Sequence, residues 1–116
     1  MKIVKTSEVK AEEATSALFR GKVVRQTLID EKLAKEFRLT IVNFSPGARN
    51  VFHTHTTDQV LYVIDGRGIV ATEKEEHVVT PGMVAFIPAG ERHWHGATED
   101  ASFSHVSITT PGQTKF

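Results

Sequence analysis

Two short segments of the chain contain four of its six histidines. The first segment carries His53 and His55, which lie two residues apart. In a β-strand this spacing points both side chains to the same face, so two imidazoles can converge on one ion without an intervening turn. Gln59 has the same parity four residues later, and His93, which follows a Pro-Ala-Gly turn, could reach the same place from a second hairpin. Three imidazole nitrogens and one amide oxygen form an open ligand set of borderline softness, which predicts a metal site.

The same residues resemble the two sequence motifs of the cupin family. The first motif, residues 47–66, runs from a glycine through His-Thr-His and Gln59 to a second glycine. The second, residues 82–97, places His93 shortly after Pro-Ala-Gly, and the two motifs agree with the family in order, internal spacing and separation. Two positions depart from the usual pattern, because Gln59 replaces a glutamate and Ala97 replaces the asparagine that closes the second motif. The resemblance implies a jelly-roll β-barrel in which the three histidines and Gln59 hold the metal.

The elements that must position these residues are predicted to be short strands separated by Gly and Pro turns. The predicted strands are 23–29, 37–44, 59–64, 68–73, 77–79, 83–87 and 101–109. Many short strands at regular spacing indicate an all-β barrel or sandwich, and the cupin resemblance selects the jelly roll. Residues 2–10 are expected to form an edge strand, and residues 110–116 a tail that frays or packs on a neighbouring subunit.

Length and composition limit the classes of function. A chain of 116 residues fits one domain, so we expect a single domain over 1–116, in which 1–22 supply the N-terminal edge strand and loop. Fourteen basic and fourteen acidic residues cancel without a basic cluster, which argues against nucleic acid or an anionic membrane as partner. The absence of cysteine excludes disulfides and thiol catalysis. The start of the chain lacks a signal-peptide pattern, and no stretch approaches the roughly 20 apolar residues of a membrane span, so a cytoplasmic protein is expected.

His105 is a further candidate for chemistry. It has the parity of Phe103 on the last predicted strand, so it faces the interior if Phe103 does. An imidazole with an ordinary pKa of about 6.5 can take and return protons near neutrality. The alternative is a core histidine that is hydrogen-bonded to Ser107, to Thr109 or to a backbone carbonyl.

Several other side chains have predicted positions that the structure can test. His95 is expected at the surface or rim, because a turn at residues 94–96 would point it outward. Trp94 is expected to pack in the barrel rather than to line the mouth of the pocket, and His77 to be solvated among charged neighbours. The expected core, or the lining of a mainly apolar pocket, consists of Phe37, Leu39, Leu61, Val63, Phe86 and Phe103.

The glutamine in the ligand set has an electronic consequence. Three neutral imidazoles and a neutral amide leave a divalent ion with its full charge, whereas a carboxylate would reduce that charge by one. The ion would be a stronger Lewis acid and would stay in the lower oxidation state, which favours non-redox chemistry. Manganese, iron, zinc and nickel all tolerate these ligands, and one such ion per chain is expected, with manganese or iron favoured.

A narrower resemblance links Gln59, the segment GERHWHGA and His105 to small bacterial cupins with hydroxynitrile lyase activity. The resemblance implies that His105 is the general base. We therefore predict a metal-dependent lyase that acts next to a carbonyl or cyanohydrin carbon of a small molecule. The alternatives are an Fe(II)-dependent dioxygenase with the same ligands and a non-catalytic sensor or binding module. The expected protein partner is a second copy of the chain, most simply in a homodimer.

Overall fold

The computed structural model describes residues 1–116, and almost all of its regular structure is β-strand. One turn of 3₁₀ helix, Thr6–Glu8, precedes thirteen strands. The strands are β1 Glu12–Glu13, β2 Phe19–Arg20, β3 Val23–Ile29, β4 Arg38–Phe44, β5 Arg49–Asn50, β6 Thr54–His55, β7 Gln59–Gly66, β8 Gly68–Thr72, β9 Glu76–Val79, β10 Val84–Ile87, β11 His93–Ala97, β12 Phe103–Thr109 and β13 Thr114–Lys115. The structure contains no helix with the length and hydropathy needed to cross a membrane.

Two antiparallel sheets form the body of the molecule. The larger has the strand order β1-β3-β4-β12-β7-β10 and the smaller has the order β2-β5-β11-β8-β9, while β13 and β6 form a separate pair. The buried apolar cluster draws on both sheets and consists of Ala14, Val23, Val42, Phe44, Ala48, Val63, Val79, Ala97 and Phe103. The all-β fold predicted from the sequence is confirmed.

Strand β11 replaces the turn that the sequence predicts at residues 94–96. All five of its residues are buried, and it lies between β5 and β8 in the smaller sheet. Backbone pairing with these two neighbours keeps the segment extended although it contains a glycine. Gly96 serves this packing, because a Cβ at that position would collide with Arg49 of β5.

The two ends of the chain also differ from the prediction. The expected edge strand at residues 2–10 is wrong, since this segment contains the 3₁₀ turn and the pairing begins only at β1. The side-chain amide of Gln26 donates to the carbonyl oxygens of Thr6 and Val9, both at 2.9 Å, and so fixes the segment without a ladder. The C-terminal tail packs on its own chain, where β13 pairs with β6.

The burial of Leu61, Val63 and Phe103 agrees with the predicted core, but three of the predicted core residues lie on the outer face of the larger sheet. Phe37 and Phe86 are 43% and 61% exposed, and Leu39 pairs with Ile108, which is 39% exposed. On β4 the residues that point inward are Val42 and Phe44. Apolar residues occupy both faces of this strand, so alternation alone does not identify the buried one.

Candidate metal centre

Three histidines bring their ring nitrogens together beside the paired strands. His53, His55 and His93 each offer a nitrogen atom, and these atoms lie within 4.8 Å of one another. His53 and His93 form an isolated antiparallel bridge, in which each backbone N–H donates to the carbonyl of the other at 2.9 and 3.0 Å. The backbone therefore holds the two motifs in register where their histidines meet.

Backbone carbonyls set the tautomers of two of these imidazoles. His53 Nδ1 lies 2.7 Å from the carbonyl oxygen of Val51, and His93 Nδ1 lies 2.8 Å from that of Glu91. A carbonyl can only accept, so each Nδ1 carries the proton and each Nε2 presents a lone pair. The Nε2 atom of His93 is buried and has no hydrogen-bond partner.

His55 is oriented by the C-terminal tail. Its Nδ1 lies 2.9 Å from the hydroxyl oxygen of Thr114 on β13, and its Nε2 lies 3.1 Å from His53 Nε2. Because His53 Nε2 bears a lone pair, it cannot donate to His55. The Thr114 hydroxyl can donate or accept, so it permits either tautomer of His55. With the His55 proton on Nδ1, its Nε2 lone pair joins those of His53 and His93, an arrangement that fits a divalent metal ion.

Burial keeps the three imidazoles in the form that binds metal. It lowers the pKa of His53 to about 4, against the opposing effect of the hydrogen bond to Val51. Burial likewise lowers the pKa values of His55 and His93. Neutral imidazole is the ligand form, so these residues do not need to lose a proton at neutral pH before they coordinate an ion.

Gln59 lies on β7 close to this cluster, with only 6% of its surface exposed. Its side-chain NH₂ donates to the hydroxyl of Ser107 on β12 at 3.0 Å. This leaves the amide oxygen Oε1 buried without a partner, a costly state for a polar atom that coordination would relieve. The role of Gln59 as fourth ligand stays a prediction.

His95 is buried, so the prediction that it lies at the surface or rim is wrong. It is only 4% exposed, because β11 is a strand and His95 shares the inward parity of His93. The sequence contained the signal for this position, since His-x-His recurs here with the spacing of His53 and His55.

Asn50, His95 and His105 form a hydrogen-bond chain with a definite direction. The backbone N–H of His95 donates to Asn50 Oδ1 at 2.8 Å, which turns the Asn50 NH₂ toward His95 Nε2 at 3.2 Å. His95 Nε2 must therefore accept. Burial lowers the pKa of His95 well below its usual value, so the neutral ring carries its proton on Nδ1 and donates it to His105 Nε2 at 3.2 Å.

His105 points inward, as its parity with Phe103 predicts. It is completely buried and packs against Phe44 and Phe103, with ring centroids 5.6 and 5.4 Å apart. Burial lowers its pKa to about 4. Ser107, Thr109 and a backbone carbonyl are the alternative partners expected from the sequence. In the structure Nε2 of His105 pairs with His95, Ser107 is bound to Gln59, and Nδ1 of His105 has no hydrogen-bond partner. Its catalytic role stays a prediction.

One cavity with a volume of about 230 Å³, which has room for a small molecule, borders these groups. His53, His55, Gln59, Asn50, His95 and His105 line it, whereas His93 does not. The prediction of a mainly apolar pocket is wrong, since only three of the 18 lining residues are apolar. The polar lining residues are Arg25, Thr40, Asn50, His53, His55, Thr57, Gln59, His95, His105, Ser107, Thr109, Thr110, Gln113 and Thr114. Thr40 of β4 and Ser107 and Thr109 of β12 thus contribute hydroxyl-bearing side chains to the lining.

Two side chains outside the cavity take the positions predicted for them. Trp94 is 8% exposed and does not line the cavity. The guanidinium carbon of Arg49 lies 3.5 Å from the centroid of its ring, so Trp94 has a packing role. His77 is exposed, with its Nε2 atom 3.3 Å from a carboxylate oxygen of Glu75.

Comparison with known proteins agrees with this geometry. The family model described as Cupin domain matches residues 40–109. The chain is 41% identical over 71 residues to the (R)-mandelonitrile lyase of Granulicella tundricola, a match that covers 58% of this chain and 52% of the lyase. It is 32% identical over 60 residues to the acireductone dioxygenase of a Sulfurihydrogenibium species, covering 48% of this chain and 34% of the dioxygenase. The chain therefore spans about half the length of the first relative and about a third of the second.

Solved structures share the fold over nearly the whole chain. A cupin-like protein of Thermotoga maritima superposes with a TM-score of 0.85 at 29% identity, covering 90% of this chain and 82% of that protein. The polyketide cyclase RemF of Streptomyces resistomycificus superposes with a TM-score of 0.90 at 25% identity, covering 99% and 84%.

Proposed function

This chain belongs to the cupin family, and from that membership we propose that it is a metal-dependent lyase for a small molecule. The observation that carries the proposal is the convergence of His53, His55 and His93 on one point beside a polar cavity. We propose Gln59 Oε1 as the fourth ligand, since it is buried without a partner next to this cluster. The cofactor would be one divalent ion per chain, with manganese or iron favoured over zinc or nickel.

When bound, the ion would supply Lewis-acid charge to a substrate oxygen, undiminished by any ligand carboxylate. His105 would act as the base at Nε2, the nitrogen that bears its lone pair. That lone pair accepts a hydrogen bond from His95, so the substrate hydroxyl would replace His95 as the donor. The buried N–H of His95 would lose its acceptor in this exchange, at a cost of about 1–3 kcal/mol unless the substrate offers it a new one.

The reaction would be the reversible cleavage of a carbon–carbon bond next to an oxygen-bearing carbon. In a cyanohydrin, the hydroxyl proton passes to His105 Nε2 and the oxygen becomes the carbonyl oxygen. The bond to the nitrile carbon breaks, and its electron pair leaves with cyanide. His105 then returns the proton to cyanide, which restores the neutral imidazole. The similarity to a protein named (R)-mandelonitrile lyase supports this class of reaction.

A dioxygenase is the second candidate, and the similarity to a protein named acireductone dioxygenase favours it. The same three histidines would hold Fe(II), and oxygen would be consumed. Oxygen uptake with a diketone or catechol distinguishes the two candidates, because the lyase reaction consumes no oxidant.

Metal content and turnover test the proposal together. Elemental analysis should find about one divalent ion per chain, and His53→Ala should lose most of it while remaining folded, because one of the three imidazole ligands is gone. His77→Ala is the matched control, since it removes an exposed histidine that is not among the residues lining the cavity. Full metal occupancy in His53→Ala would refute the ligand assignment. The lyase assignment fails if the metal-loaded protein cleaves neither cyanohydrins nor related hydroxycarbonyl compounds, including aldoses.

A further inference from the structure

The cavity beside the metal centre contains one permanently charged side chain, and that charge is positive. None of the 18 lining residues is Asp or Glu, and Arg25 is the single Lys or Arg among them. Arg25 lies on β3 opposite Val42 of β4, which is itself a lining residue. The two residues therefore share the face of the sheet that borders the cavity.

Arg25 is a solvent-exposed residue that also lines the cavity, and no acidic side chain forms a salt bridge with it. Its guanidinium carbon lies 5.5 Å from the centroid of the Phe19 ring, which also lines the cavity. None of the salt bridges of the chain involves Arg25. Glu12, its partner across the pairing of β1 and β3, is exposed and forms no salt bridge with it. The charge is thus available to a molecule that enters the cavity.

The metal centre adds to this imbalance of charge. Its candidate ligands are neutral imidazoles and one neutral amide, so a bound divalent ion would keep its full charge of two. No acidic side chain in the cavity offsets either the ion or Arg25. An anionic ligand would relieve the repulsion between them, and the planar fork of a guanidinium matches the two oxygens of a carboxylate.

The rest of the lining defines what the carboxylate is attached to. Thr40, Thr57, Ser107 and Thr109 are among the lining residues, and their hydroxyl groups can form hydrogen bonds with a polar ligand. The apolar side chains of the lining are Leu18, Phe19 and Val42.

We propose that the substrate is a small hydroxylated carboxylate, with its carboxylate on Arg25 and a hydroxyl or carbonyl oxygen at the metal centre. This inference rests on the proposed metal-dependent lyase and narrows its substrate class. An uncharged cyanohydrin such as mandelonitrile matches this site less well, since it carries no negative charge for Arg25.

Calorimetric titration of the metal-loaded protein with glycerate and glyceramide tests the proposal. The two probes share a skeleton and hydroxyls, and only glycerate carries a negative charge. Wild type should bind glycerate at least about tenfold more tightly, and Arg25→Gln should weaken glycerate by roughly 10- to 100-fold, the usual range for a charge-assisted hydrogen bond, with glyceramide little changed. Arg25→Lys should keep part of the preference. Arg67→Gln is the matched control, because it removes an exposed arginine that does not line the cavity.

A carboxylate can also bind a metal ion directly. The ratio of glycerate affinity to glyceramide affinity, compared between wild type and Arg25→Gln, distinguishes carboxylate binding at Arg25 from carboxylate binding at the ion. If Arg25→Gln keeps its metal, its melting temperature and the wild-type ratio, the carboxylate site at Arg25 is refuted while the lyase proposal stands. If wild type binds neither probe at millimolar concentration, the substrate class is wrong. Absence of metal from the wild-type protein would instead refute the metal-dependent function itself.

Discussion

The buried pair of His95 and His105 should make the folded protein sensitive to mild acid. Burial lowers the pKa of His105 to about 4 from the ordinary value of 6.5. Between these two pH values the folded state therefore binds fewer protons than the unfolded state, and stability falls as the pH decreases. The loss from this residue begins as the pH falls through 6.5 and is complete below about 4.

The size of the effect follows from these two pKa values. The two values differ by about 2.5 pKa units, and each unit changes the free energy of unfolding by roughly 1.4 kcal/mol. At a pH well below 4, protonation of His105 therefore lowers the free energy of unfolding by about 3 kcal/mol. Applied between pH 7 and pH 5, the same linkage gives a loss of about 2 kcal/mol from His105 alone. His105 has no exposed surface, so solvent does not screen its charge.

The variant that isolates this effect is His105→Gln. A glutamine oxygen can still accept the hydrogen bond from His95 Nδ1, but the side chain does not titrate. Urea unfolding at pH 7 and pH 5 should show that the free energy of unfolding decreases by about 2 kcal/mol more in wild type than in His105→Gln. Release of metal at low pH affects both proteins and largely cancels in the difference. The control His77→Gln should follow wild type, because that histidine is exposed.

Equal losses in wild type and His105→Gln would refute the reasoning. Such a result would mean that the folded protein protonates His105 as readily as the unfolded chain does. The hydrogen-bond chain from Asn50 through His95 would then have to reverse or break at pH 5 without a measurable cost.

Three further outcomes test other parts of the structure. His105→Gln should keep its metal but lose roughly 10²–10⁴ in kcat on a confirmed substrate, and near-normal turnover would remove His105 from the mechanism. Phe86, Tyr62 and Val84 form an exposed apolar patch on the paired strands β7 and β10. If this patch is the interface of the predicted homodimer, light scattering should show that Phe86→Glu is a monomer. A wild-type protein that is monomeric at micromolar concentration would contradict this prediction. Gly68→Ala should lower the free energy of unfolding by about 1–3 kcal/mol, because the added Cβ of the alanine would lie 2.6 Å from the Phe103 ring. An unchanged midpoint of urea unfolding would show that the ring moves away freely.

The sequence predicts well which three histidines come together, because the relevant information is local. Two histidines at strand spacing share a face whatever the rest of the chain does, and a third after Pro-Ala-Gly needs only one antiparallel bridge to reach them. The partners that fix the imidazoles could not be predicted. Asn50 lies 45 residues from His95 and Thr114 lies 59 residues from His55, and pairing over such separations depends on the register of whole sheets.

The incorrect assignments have two physical causes. His95 was placed at the rim because a glycine in 94–96 favours a turn, whereas pairing with two neighbouring strands overrides that local preference. The sequence predicts core positions for Phe37 and Phe86 because both side chains are large and apolar. The larger sheet is apolar on both faces here, and only the strand register decides which face the second sheet covers.

The position of Asn50 explains why one of two neighbouring histidines is a candidate ligand and the other is not. His93 and His95 lie on the same face of β11, and their rings are nearly parallel, with centroids 5.8 Å apart. His93 bonds a carbonyl through Nδ1, so its lone pair at Nε2 points at the cluster. His95 has the same tautomer, but its Nε2 lone pair is occupied by the Asn50 amide, and its N–H is directed at His105 instead. The hydrogen bonds thus leave the Nε2 lone pair of His93 free for a metal ion and join the His95 ring to His105, although both histidines lie on the same face of the strand.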